Sequence, residues 1–253
     1  MEMMITQRIA NLAKQSSDGL VVKNLCLGLG YTGVLLSNNE AGCCFTFRSE
    51  LGPGNGVMKN AGSLIGMPVS EAIDMAMSTN LAEASTAIAA INAVLNAGYE
   101  ESANALSIID LQPGDKVGMI GNFMPIKTWF AGKSPDQLYI FERNLTEDGL
   151  LPDWAEDIYL PQCDVVVITG VTFANKTIDH ILRLSENAKE VVIMGPSTCM
   201  APEILKEYGV TVIAGSRISG QKAFFSVIAQ GGGGESIRPH TSMLCERICG
   251  RRS

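Results

Sequence analysis

The sequence predicts an α+β layer followed by an α/β layer, and three observations predict it. Residues 20 to 47 hold three short apolar runs, "LVVKNLCLGLG", "YTGVLLSNN" and "AGCCFTF", with no room for helices between them. A small-residue stretch, "NLAEASTAIAAINAVLNAG", then has the length and composition of a helix packed on both sides. After Pro113-Gly114-Asp115, five apolar runs recur at steps of 20 to 27 residues with helix-like segments between them. That alternation is the pattern of a parallel sheet covered on both faces.

Taken in order, Met1 to Ser17 place Ile5, Ile9 and Leu12 at helical spacing and predict a packed helix. The three runs that follow predict an antiparallel β-meander, with Asn38-Asn39 and neighbouring Gly42 as turn chemistry. Glycine-rich "ELGPGNGVMKNAGSLIG" predicts a loop. Ser70 is placed as the cap of "SEAIDMAMS", Asn80 as the cap of the long helix, and Gly98 as its left-handed end. "KVGMIG", "QLYIF", "DVVVIT", "EVVIMG" and "VTVIAG" predict the strands of a Rossmann-like sheet with helices on both faces. The boundary falls near residue 112, giving units over 1–112 and 113–253 with a shared interface. "GGGG" at 231–234, before a last strand or tail helix, predicts a loop.

Bulk properties narrow the function. Hydrophobic residues at 46% and charged residues at 18% suit a packed globular chain. A formal charge of −7, with no basic stripe, argues against a nucleic-acid binder. No apolar run reaches bilayer length or has the flanks of a secretory signal, so the expected location is the cytoplasm, with no membrane partner. Seven scattered cysteines, several within apolar strands, argue against a disulfide framework. Nothing in the sequence fixes the oligomer, and a homo-oligomer stays open.

In sheets of this kind ligands bind beyond the carboxyl ends of the strands, where the strand order switches. Those exits deliver Gly121-Asn122, then Glu142, then Thr169-Gly170-Val171-Thr172 with Asn175, then Gly195-Pro196-Ser197-Thr198. Each hydroxyl or amide taken alone reads as a helix N-cap, worth on the order of 1 kcal/mol. Together they predict a ligand site. Glu142 lies 21 residues after Gly121, where nucleotide-binding folds place the acid that bonds a ribose hydroxyl. "GMIGNF" lacks the phosphate-loop glycines, so a solvated glutamate paired with Arg143 or another neighbour is the competing reading.

Metal and thiol chemistry find less support. His180 and His240 have no partner histidine at ligand spacing, and Cys43 and Cys44 face opposite sides of a strand. Cys245 and Cys249 fall four apart on an expected last helix, half of what a tetrahedral site needs. Cys199, in "GPSTCM" near a helix start, is the thiol expected to be most reactive. No serine-hydrolase elbow is present.

"VGMIGNFMPI", "YIFERN", "DVVVITGVTFANKTIDHIL" and "VVIMGPSTCMAPEILKEYGVTVIAG" together resemble the heavy-metal chelation domain family, long known as a domain of unknown function. "AGSLIGMPVSE" and "AIAAINAVLN" are similar to that family's N-terminal companion, which has a fold like the N-terminal domain of enolase. The resemblance implies a cleft between an enolase-like cap and a Rossmann-like domain, without the enolase catalytic barrel. It carries over to Asn92, Gly121, Asn122, Phe123, Glu142, Thr169, Gly170, Asn175, Thr177, Gly195, Pro196, Ser197 and Thr198. Asn122 stands where relatives often have His, and Cys199 where Pro is usual. The leading expectation is a protein that binds, makes or modifies a polar or anionic small molecule, a metal chelate or chelator precursor. A heavy metal or metal chelate is then the bound species, and a bare ion held by side chains is disfavoured. Two alternatives stay open: an enzyme using a nucleotide-type cofactor (a methyl donor or nicotinamide), and a non-catalytic sensor or scaffold for metal uptake.

Overall fold

The computed structural model describes residues 3–52, 56–102, 105–133 and 135–250. Residues 53–55 of the glycine-rich loop lie outside the described residues. Helix α1 (Ile5–Gln15) leads into strands β1 (Val22–Leu27), β2 (Tyr31–Leu36) and β3 (Ala41–Phe45), followed by helices α2 (Val69–Asp74) and α3 (Leu81–Leu95). Then come β4 (Lys116–Ile120), α4 (Met124–Lys133), β5 (Gln137–Phe141), β6 (Leu150–Leu151) and α5 (Glu156–Tyr159). Next are β7 (Val165–Thr169), α6 (Thr172–Asn175), α7 (Ile178–Leu184), β8 (Glu190–Met194) and α8 (Pro202–Lys206). The described chain closes with β9 (Val212–Ile218), α9 (Gln221–Ala229), α10 (Gly234–Ile237) and β10 (Thr241–Arg247).

Strands β1, β2 and β3 form an antiparallel three-stranded sheet, as their tight connections require. Asn39 takes a left-handed φ of 68° in the turn before β3, whereas Gly42 sits inside β3 and is not a turn residue. Helix α3 packs on β2 and β3 from one side, and α9 packs on β1 and β2. Because α3 also meets α2 and α6, nearly every position from Ala82 to Ala93 is buried, which explains its all-round small apolar surface.

The second sheet has the order β10-β9-β8-β7-β4-β5-β6, parallel except for β10, which runs antiparallel to β9. Period-two side chains separate its faces. Val166, Ile168, Val191 and Ile193 join the main core, while Val165, Val167 and Val192 pack with Met119, Phe130 and Val212. Both faces are buried, so the strands read as continuous apolar runs. The chain passes from β4 to β5 and β6, then returns across β4 to β7, so the strand order reverses at β4. Among the described residues no helix is long and apolar enough to cross a membrane.

Several local expectations are corrected. Pro68, not Ser70, precedes the first residue of α2, because proline already holds the extended φ and ψ of a cap. Asn80 does cap α3, accepting from Ala82 N at 2.9 Å. That helix ends at Leu95 in a 3₁₀ turn over Asn96–Gly98, and Gly98 is not left-handed. Cys245 lies in β10 and Cys249 just beyond it, not on a helix. A seven-residue antiparallel register with β9 takes up this segment. Glycines 231–233 form a turn, and Gly234 opens α10.

Candidate functional site

A cavity of about 610 Å³ opens at the carboxyl ends of β4, β5, β7 and β8, the size range of small-molecule sites. Gly121, Asn122 and Phe123 line it after β4, Glu142 after β5, Thr169, Thr172 and Asn175 after β7, and Gly195, Pro196 and Ser197 after β8. Gly121 and Gly195 have φ of +94° and +115°, turning the chain out of the sheet at the two exits.

Three expected site residues lie elsewhere. Asn92 is 1% exposed on α3, and its Nδ2 donates to the Cys43 carbonyl at 3.0 Å, tying helix to strand. Thr198 is buried, and its main-chain carbonyl accepts from Asn96 Nδ2 at 3.0 Å. Gly170 packs against that segment: a Cβ there would sit 2.5 Å from Thr198 N and Thr198 Oγ1. Gly170 and Thr198 thus form the floor behind the pocket rather than its lining.

The helix-cap reading is also corrected. Among the described residues no side chain caps α6, α7 or α8. The polar groups instead shape the turn itself. Thr169 Oγ1 accepts from Val171 N at 3.3 Å, Thr172 Oγ1 donates to the Thr169 carbonyl at 2.7 Å, and Asn175 Oδ1 accepts from Thr177 N at 3.1 Å. Ser197 Oγ accepts from Phe45 N at 2.9 Å, joining the end of β3 to the turn after β8. Glu142 accepts from Asn122 N at 3.1 Å and from Arg143 N at 2.9 Å. Its carboxylate therefore holds two backbone amides, one of them in the turn where a nucleotide's phosphates would approach.

Sequence reasoning missed the wall supplied by the first sheet and by the segment around α5. Tyr31, Phe45 and Phe47 line the pocket, with rings edge-to-face at centroid distances of 6.3 and 5.6 Å. Burial pushes the Tyr31 hydroxyl above its ordinary range. Glu50 pairs with Arg143, whose guanidinium also lies 3.8 Å from Asp153, and Asp157 lies 3.2 Å from His180. Glu156 faces the pocket from α5, and burial, with Asp153 and Asp157 beside it, pushes its carboxyl up to about 7. The signal available in the sequence was the acidic run in "LPDWAEDIY". Asn122 Oδ1 is buried without a hydrogen-bond partner among the described residues, although its side chain also helps hold the Glu147 carboxyl below its usual range, behind the larger effect of Lys127.

Cys199 is 0% exposed and burial raises its thiol well above the ordinary value, so the expectation of a reactive thiol is overturned. Helix α8 begins at Pro202, too far along to offer its N-terminus to the sulfur. Peptide mapping after treatment with a thiol-specific disulfide reagent should find Cys199 unmodified in the native protein and modified in denaturant; rapid native labelling would contradict this burial. Among the described residues no group of three or more His, Cys, Asp or Glu side chains is arranged to hold a metal ion.

The fold and pocket define a two-sheet α/β protein with a ligand-sized cavity where the larger sheet reverses its order. Two family models, both described as "Putative heavy-metal chelation", match residues 9–95 and 104–244, and the chain belongs to this family. An uncharacterized protein of Methanocaldococcus jannaschii is 31% identical over 223 residues, covering 85% of each chain. Crystal structures of family proteins with unknown function share the fold. That from Pyrococcus horikoshii has a TM-score of 0.80 at 25% identity, covering 96% of this chain and 100% of its own. That from Desulfitobacterium hafniense has a TM-score of 0.81 at 26% identity, covering 96% and 98%.

Proposed function

We propose that the protein is a cytoplasmic binder or modifier of a small polar molecule, a metal chelate or chelator precursor, held in the cleft between its two sheets. The observation that carries this reading is Asn122 Oδ1, a buried acceptor without a partner among the described residues, on a side chain that lines a ligand-sized cavity. Leaving such a group unsatisfied costs about 1–3 kcal/mol, so a ligand that donates to it gains from a group already desolvated. The absence of a side-chain metal cluster among the described residues favours a chelate over a bare ion, in keeping with the family's description. Glu142, committed to two backbone amides, lends the nucleotide-cofactor alternative little support.

A thermal-shift series with Co(II), Ni(II) and Zn(II), each alone and with free histidine, alongside nucleotides without metal, tests the reading. A chelate present at ~100 times its dissociation constant adds about 2.7 kcal/mol and raises the melting point by several degrees. The expected result is a shift with metal and chelator together that Asn122→Ala reduces. A shift with nucleotides alone, abolished by Glu142→Ala, would replace this reading with the cofactor enzyme.

A further inference from the structure

Glu156 is 8% exposed, lines the cavity, and its carboxylate makes no hydrogen bond or ion pair with any described residue. Other buried acids are answered: Glu190, for example, is met by Arg247 at 2.7 Å. An isolated buried carboxylate is costly to keep charged unless something pairs with it. The groups around Glu156 supply no such partner. Asp153 and Asp157, on its own stretch of chain, add negative charge. Across the pocket, Arg143 is engaged by Glu50 and Asp153, His180 by Asp157, and Glu142 is a further acid. Carboxylates therefore outnumber cations on the lining, which disfavours an anion there. The remaining surface is rich in rings, with Tyr31, Phe45, Phe47, Phe123, Phe141 and Trp154 all on the lining. Aromatic faces beside acids suit a flat cation.

We infer that Glu156 is the counter-charge for a nitrogen base on the pocket's ligand, an amidine, an amine or a protonated heteroaromatic ring. This rests on the reading of the cavity as the ligand site and narrows its ligand from polar to cationic. Glu156, pushed up to about 7, is mostly neutral at pH 6 and mostly charged at pH 8. A cation selects the charged form, so its affinity rises by about tenfold between those pH values and binding at pH 6 releases a proton.

The experiment is isothermal titration with benzamidine, neutral benzamide and anionic benzoate at pH 6 and pH 8. It compares the full chain with Glu156→Gln and His180→Gln, each checked by circular dichroism for an unchanged fold. Benzamidine is expected to bind best and about tenfold tighter at pH 8. Glu156→Gln should lose both the preference and the pH slope, while His180→Gln should keep the slope. Equal binding of benzamide or benzoate, a slope that survives Glu156→Gln or vanishes with His180→Gln, or no benzamidine binding at millimolar concentration overturns the inference. The two proposals fail separately. Chelate binding that depends on Asn122 without benzamidine binding leaves the cavity and removes the counter-charge. Benzamidine binding that depends on Glu156 without any chelate shift leaves the counter-charge and removes the chelate.

Discussion

Gly42→Ala is expected to destabilise the protein by about 3 kcal/mol or more, read as a lower urea midpoint at unchanged slope. A Cβ at residue 42 would sit 2.3 Å from both Ala89 O and Ala93 N and 2.8 Å from the Asn92 main-chain carbon. These are backbone atoms of α3, so no side chain can rotate out of the way. The helix cannot easily retreat, because its far side packs on α2 and α6. Movement would also break the bond from Asn92 Nδ2 to the Cys43 carbonyl, next to Gly42. The damage would reach the pocket, since β3 ends at Phe45 on its wall and is tied there to Ser197. Gly132→Ala is the control. It lies exposed in α4 with nothing within 4 Å of an added Cβ, and should be neutral or stabilising by up to about 1 kcal/mol. Equal effects from the two substitutions would mean that α3 yields to the extra methyl.

The three strands of the first sheet and five of the seven in the second were legible because each carries its own pattern, tight turns in the first and apolar runs in the second, whereas the two-residue β6 and the mixed β10 carry none. The strand exits were legible for the same reason, since a parallel sheet brings its carboxyl ends together whatever the loops contain. Less local features were not. Phe45, Phe47 and Glu50 reach the pocket through contacts with chain far away in sequence, such as Glu50 with Arg143 and Phe45 with Ser197. Glu156 sits in a segment read only as a crossover helix, and nothing in its neighbours' identities says that its side chain is buried. Asn92 and Asn96 show the converse limit. Both are buried amides that join elements, Asn96 accepting from Met200 N at 3.0 Å while donating to the Thr198 carbonyl. A sequence cannot distinguish such a brace from a ligand contact. The end of the chain was misread because cysteines four apart suit a helix, whereas pairing with β9 decides the outcome.

Arg247→Ala is expected to cost about 3–5 kcal/mol, the range for stranding a buried charge. Glu190 opens β8 and is 0% exposed, with Arg247 at the end of β10 meeting it through both guanidinium nitrogens at 2.7 and 3.2 Å. Asp110 N donates to the same carboxylate at 3.1 Å. Removing the arginine leaves the carboxylate in the core with one amide and no counter-charge. It also frees the end of β10, an edge strand that pairs with β9. Two further variants separate lost attraction from stranded charge. Glu190→Gln should cost less than Arg247→Ala, because it leaves the arginine, 32% exposed at its side chain, within reach of water. Replacing both partners with leucine and methionine should recover much of the loss, since an apolar pair of similar volume needs no desolvation of charge. If Arg247→Ala costs less than about 1 kcal/mol, the pair behaves as a surface bridge and β10 is held by its register with β9 alone. If instead the double replacement is as damaging as Arg247→Ala, the fork orders the residues around Asp110 as well as neutralising Glu190.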